Sequence, residues 1–175
     1  MREASEALEQ RRMEAVWRER AARLSERPAA AEAGQDFRPV MVLGIGAERY
    51  AVELRDVEEV LPPVRATPVP GAAAMFAGVI NVHGEIRPVM DLRRLLGMDA
   101  LAGSERPRVI LLCKEGRQIG LQVDGVEQIR WIGSPDFKSG ENSGWSRYIT
   151  GTTTDLLMLI NTEALFAELQ IGVAT

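Results

Sequence analysis

A chain of 175 residues that holds one histidine, His83, and one cysteine, Cys113, lacks the raw material of most enzymatic sites. That scarcity weighs against a His-based triad and against a zinc site of His and Cys ligands alike. A single thiol permits no intramolecular disulfide. Cys113 follows the apolar run Val109 to Leu112 and reads as a buried, inert thiol. No apolar stretch reaches the roughly twenty residues that a membrane helix needs, so no direct membrane insertion is expected. Basic residues are not in excess either: 21 Lys and Arg stand against 25 Asp and Glu, for a net charge of −4 and a pI near 5.2. Nucleic acid is excluded as the main partner, since a phosphate-binding barrel needs a basic face with exposed aromatics. The segment GIGAERY lacks the phosphate-loop pattern and precedes a strand rather than a helix. Three carboxylates, Asp124, Glu127 and Asp155, read as solvated surface groups rather than as an acid-base site. The opening MREASEALEQRRMEA is too charged for a signal peptide, and a reduced, cytoplasmic setting is expected. No catalytic residue, metal or cofactor is expected.

What is present divides into two parts. Met1 to about Arg27 is rich in Ala, Glu and Arg, with Arg2/Glu6, Glu14/Arg18 and Glu19/Arg23 at i, i+4 spacing, which predicts a helix. Met13, Val16, Trp17, Ala21 and Leu24 share one face of it. This is either a docking helix that lays Trp17 and Leu24 into a groove or a solvated, frayed helix. Pro28 and the run AAAEAG then make a linker, so residues 1–36 form a helical extension and 37–172 a domain. Acidic and basic residues balance ahead of Pro39, which leaves the whole −4 to the residues from Pro39 onward.

The domain echoes itself at an offset of 69 residues. Val40-Met-Val-Leu43 matches Val109-Ile-Leu-Leu112 in kind. Tyr50 to Val60 aligns without a gap to Ile119 to Ile129, with Glu58 on Glu127. Pro88-Val-Met-Asp91 then aligns with Met158-Leu-Ile-Asn161 at an offset of 70, each ending in a helix N-cap followed by Leu95-Leu96 or Leu165-Phe166. Alternation at Tyr50, Val52 and Leu54, and at Ile119, Leu121 and Val123, predicts strands with one face buried. Half-domains of this size that are mostly strand close best into small barrels, which also removes free sheet edges. The run Gly78 to Gly97, GVINVHGEIRPVMDLRRLLG, predicts two strands joined by a His83-Gly84 hairpin, then a helix of about two turns capped by Asp91 and ended by Gly97.

These residues carry a resemblance. The motifs GAERYAVELRDVEEVL, ATPVPG, FAGVINVHGEIRPVMDLRRLLG, GLQVDGVEQI and YITGTTTDLLMLINTEALF make the span from about Phe37 to Leu169 similar to the CheW-type chemotaxis coupling proteins. The resemblance implies an all-β fold of two small five-stranded SH3-like barrels with short helices, here preceded by the N-terminal α-helix, and no enzymatic activity. It also implies two partners: the signalling tip of a chemoreceptor and the regulatory domain of the CheA histidine kinase, in arrays at the inner membrane. Carried over by position, the receptor-facing surface falls on Val57, Glu59, Val60, Gly78, Ile80, Val82 and His83. A groove lined by Val57, Val60 and Val82 would take apolar helix positions while Glu59 and His83 fix register from the rim. The rival function within the family is an adaptor of a non-motility chemosensory pathway, whose N-terminal helix recruits another partner or covers the receptor groove. His83 stands where the family commonly has Arg. Imidazole titrates near neutral pH whereas guanidinium does not, so a His83–Glu59 contact is expected to be weaker at pH 8 than at pH 6. Receptor affinity measured at both values tests this, and an equal affinity refutes it.

Overall fold

The computed structural model describes residues 37–98, 107–133, 137–139 and 147–171. The chain divides into two units, Met1–Asp36 and Phe37–Thr175, and all described residues belong to the second. The helix expected within residues 1–36, with Met13, Trp17 and Leu24, therefore lies outside the described residues.

Eleven strands and two short helices are found among the described residues. The first half of the echo supplies β1 (Phe37–Ile45), β2 (Glu48–Glu53), a single 3-10 turn (Leu54–Asp56), β3 (Val57–Leu61), β4 (Phe76–Val82), β5 (Glu85–Asp91) and helix α1 (Leu92–Leu95). The second half supplies β6 (Arg108–Lys114), β7 (Arg117–Val123), β8 (Gly125–Gly133), β9 (Phe137–Ser139), β10 (Ile149–Thr153), β11 (Met158–Ile160) and helix α2 (Thr162–Ile171). The fold is all-β, with two small barrel-like sheets of order β8-β1-β2-β11-β10-β9 and β3-β6-β7-β5-β4. The short strand β9 extends the first sheet beyond the five strands expected.

The two orders show how the repeat is used. When each strand is replaced by its echo, β8-β1-β2-β11-β10 becomes β3-β6-β7-β5-β4, so the sheets are equivalent, but neither is made from one half of the chain. Each half places its first two strands in one sheet and its later strands in the other. The expectation that a half closes its own barrel is thereby corrected. At Leu54–Asp56 the chain leaves the first sheet for the second, and at Asp124 it makes the reverse crossing.

Strand alternation then explains three apolar cores. Val40 and Val42 point into the first barrel with Ala51, Ile132, Leu157 and Leu159. Val109 and Leu111, at equivalent positions, point into the second with Leu61, Ile80, Val82 and Val89. The intervening Met41, Leu43, Ile45, Ile110 and Leu112 face the other way and meet in a shared core with Phe166 and Leu165 of α2 and Leu92 and Leu95 of α1. β1 and β6 read as continuous apolar runs because both of their faces are buried.

Local signals act as the sequence predicts, with one correction. His83 (φ 52°) and Gly84 (φ 91°) form the two-residue hairpin, whose double positive φ suits the twist of the flanking strands. Asp91 caps α1, its Oδ1 accepting from the Arg93 amide at 2.9 Å, and Asn161 Oδ1 accepts from the Ala164 amide at 3.2 Å at the start of α2. Helix α1 has one turn rather than two. Its C-cap Leu96 is followed by Gly97 in the left-handed region (φ 70°), which turns the chain away.

The crossings are held by buried polar contacts. At the first, Asp56 accepts a hydrogen bond from Thr162 Oγ1 at 2.6 Å, which ties the 3-10 turn to the start of α2. At the second, the buried Arg93 guanidinium of α1 pairs with Asp124, whose carboxylate also accepts from the Gly46 amide at 2.7 Å. The Asp124 amide in turn donates to Gly44 O at 3.1 Å. Asp124 is thus a structural clamp between the sheets, not the solvated carboxylate expected. Removing the carboxylate that faces a buried guanidinium is costly, so Asp124→Ala is expected to cost about 3 kcal/mol in urea unfolding, with both barrels lost in a single transition. Separate transitions for the two barrels would show that the shared core does not couple them.

Candidate partner-docking surface

The candidate surface is built on β3 and on the hairpin between β4 and β5. β3 and β4 are the two edges of the second sheet, so they meet only if the sheet curls. Two contacts show that it does. Thr67, in the loop after β3, exchanges backbone hydrogen bonds with Val79 of β4 at 2.8 and 2.9 Å, and His83 Nε2 lies 2.9 Å from Glu59 Oε2. The family-based pairing of His83 with Glu59 is therefore present as a contact between an edge strand and a hairpin tip.

β3 contains an extra residue between Val57, opposite Leu112, and Glu59, opposite Leu111. β8 carries one extra residue at the same place in the echo, between Val126 and Ile129. The repeated V-E-x-V/I segment is thus a β-bulge in both barrels, and bulges re-aim side chains at sheet edges. Each bulge turns its glutamate across the adjacent strand to the next one over: Glu58 accepts from Gln118 Nε2 of β7 at 2.6 Å, and Glu127 stands 3.4 Å from Arg49 of β2. Gln118 and Arg49 occupy equivalent positions in the repeat. Beyond the bulge, Val57 is half-buried against the shared core and Val60 is 36% exposed.

The seven residues inferred from the resemblance fall into two groups. Val57, Glu59, Val60 and His83 present surface, with the His83 side chain 78% exposed and that of Glu59 41%. Ile80 and Val82 do not: they are 5% and 7% exposed and pack inside the second barrel. The expectation that Val82 lines a groove is corrected, because along β4 the positions 78, 80 and 82 all turn inward while Asn81 points out. Gly78 is also buried. Its φ is +140°, and a Cβ there would lie 2.1 Å from Thr67 O, so the small residue is what lets the loop bridge to β4.

One neighbouring apolar residue stands outside those seven. Ile86 is 62% exposed and stands opposite Asn81 in the β4–β5 ladder, hence on the outward face. The signal was available, since cross-strand partners share a face and Asn81 is polar. Its echo in the first barrel is Leu156, 75% exposed with a left-handed backbone (φ 63°).

Glu127 and Asp155 are each held by their own arginine and do not converge with Asp124 on one site. Asp155 accepts from Arg130 at 2.6 Å and from Thr153 Oγ1 at 2.6 Å, and these bonds, led by the one to Arg130, hold its carboxyl below the usual carboxylate range. Among the described residues no group of three or more His, Cys, Asp or Glu side chains could hold a metal ion. No helix among them is long and apolar enough to cross a membrane.

The described domain is thus two interlocked small barrels with an exposed strand-and-hairpin face, on which a polar rim stands over partly exposed valines. The chain belongs to the CheW-like domain family, whose model matches residues 39–170. That family consists of scaffolds and adaptors rather than enzymes. The chain is 29% identical over 140 residues to the probable chemotaxis protein CheW of Rhizobium etli, covering 77% of this chain and 90% of that protein. It is 32% identical over 99 residues to protein PilI of Pseudomonas aeruginosa, covering 57% of this chain and 55% of that one. The crystal structure of the scaffolding protein TtCheW from Thermoanaerobacter tengcongensis matches with a TM-score of 0.63 at 28% identity, over 70% of this chain and 86% of that one.

The burial of Val82 and the exposure of Val60 separate two substitutions. Val82→Glu places a carboxylate in the barrel interior and is expected to cost at least about 3 kcal/mol, whereas Val60→Glu should stay within about 0.5 kcal/mol of the parent in urea unfolding. Equal stabilities would contradict the inward course of β4. Asp155 provides a pH test. Its folded-state value is depressed, so its small stabilisation is present above the ordinary carboxylate range and lost as pH falls through the depressed value. Carboxyl-carbon NMR should show a low midpoint for Asp155 that moves up in Arg130→Ala.

Proposed function

We propose that this chain is a non-catalytic coupling scaffold. It bridges the signalling tip of a chemoreceptor to the regulatory domain of a CheA histidine kinase, in an array on the cytoplasmic side of the inner membrane. The observation that carries the receptor half of this reading is the Glu59–His83 contact beside Val57 and Val60. A receptor tip is a helical hairpin whose surface alternates apolar and polar positions. Val60 offers an apolar seat at an edge strand, and the carboxylate and imidazole next to it supply direction and register. Gly78, Ile80 and Val82 support this face from beneath by fixing the path of β4. The kinase half rests on the family resemblance and on the first barrel, which has an equivalent hairpin, β10–β11, of its own.

Calorimetric titration of the full chain with a soluble receptor-tip fragment and with the kinase regulatory domain tests the bridge. Both are expected to bind. Val60→Glu and Glu59→Ala should each weaken receptor-tip binding by about tenfold or more, as central contacts do, and leave the kinase domain unaffected. Binding of neither partner by the parent chain would refute the reading, and equal loss toward both partners would refute the assignment of the face.

A further inference from the structure

We propose that a second copy of this chain is itself a partner, with residues 37–98 of each copy closing their barrels on residues 107–171 of the other. The inference rests on strand order rather than on any surface patch. Four ladders join the two halves: β1 with β8, β2 with β11, β3 with β6, and β5 with β7. Taken alone, the first half would leave β3 without a neighbour, and the second would leave β8 without one. Each half would also expose its share of the core between the barrels.

The polar contacts run the same way. Arg93–Asp124, Asp56–Thr162, Glu58–Gln118 and Arg49–Glu127 all cross from one half to the other. The covalent connection between the halves is residues 99–106, and the four ladders are all formed among the described residues on either side of it. Each of these contacts is therefore available equally from the same chain or from a second copy. Only the entropy of association distinguishes the two arrangements.

A short connection holds the halves at an effective concentration on the order of millimolar, which favours the single chain in dilute solution. As that limit is approached, two copies folding together exchange halves. Because neither half has a closed core, exchange passes through the unfolded chain, and the interlaced pair persists once formed. Such a pair carries two complete sets of barrel faces.

The experiment refolds the full chain from guanidinium at concentrations from about 1 μM to about 1 mM and measures mass by light scattering after gel filtration. A species of twice 19.3 kDa is expected, in a fraction that rises with refolding concentration and that is stable on dilution. Monomer alone at every concentration would overturn the proposal. A second measurement covers the case in which concentrated samples precipitate. A protease site is inserted after Gly103 and cut in the folded full chain. The halves should co-elute at the uncut mass and, after unfolding and refolding with a cut chain carrying a mass tag, pair in statistical proportion. Halves that separate on cutting, or that never mix, would overturn it.

Discussion

Two crossings of the chain between its sheets, at Leu54–Asp56 and at Asp124, set the terms for the rest of the molecule. Because of them, no barrel can be completed without strands from both halves. The core between the barrels, from Met41 and Leu43 to Ile110, Leu112 and Phe166, is then an obligatory product of folding rather than an interface formed afterwards. This is why the polar groups at the crossings are buried and satisfied. An unpaired Asp56 or Arg93 at such a place would penalise the only path by which the barrels close.

The same constraint positions the candidate docking face. β3 reaches the edge of the second sheet because the chain has just crossed into it, and the bulge at Glu58 turns that glutamate to Gln118 while Glu59 meets His83. Gly78 admits the loop after β3 close to β4, and Ile80 and Val82 anchor β4 in the barrel. The surface proposed to meet a helical partner is thus narrow, Val57, Glu59, Val60 and His83, and it stands on buried Ile80 and Val82. A scaffold benefits from that arrangement. Side chains held by a barrel lose little freedom on binding, so more of the contact free energy appears as affinity.

The repeat also shows where the two barrels have diverged. Equivalent positions hold Glu58 with Gln118 in one and Glu127 with Arg49 in the other. The pair Glu59 and His83 has as its echo Gln128 and Thr153, neither of which brings a charge. Backbone architecture and the apolar core are shared, while rim chemistry differs. Under the proposed bridging role, that difference would let two equivalent faces of one fold discriminate between partners.

Strand positions, the His83-Gly84 hairpin, the caps at Asp91 and Asn161 and the repeat were legible in the sequence, because each depends on residues within a few positions of one another or on a fixed period. The membership of the CheW-like family was legible too, since its motifs are contiguous. The inward course of Ile80 and Val82 was signalled locally by the polar Asn81 between them, whereas position-by-position carry-over of the family motif assigned both to the docking face. The exchange of halves between barrels, the clamp at Asp124 and the single turn of α1 were decided by tertiary structure. Pairing between β1 and β8, or between β3 and β6, is a contact across some fifty to ninety residues whose free energy arises only when the shared core closes.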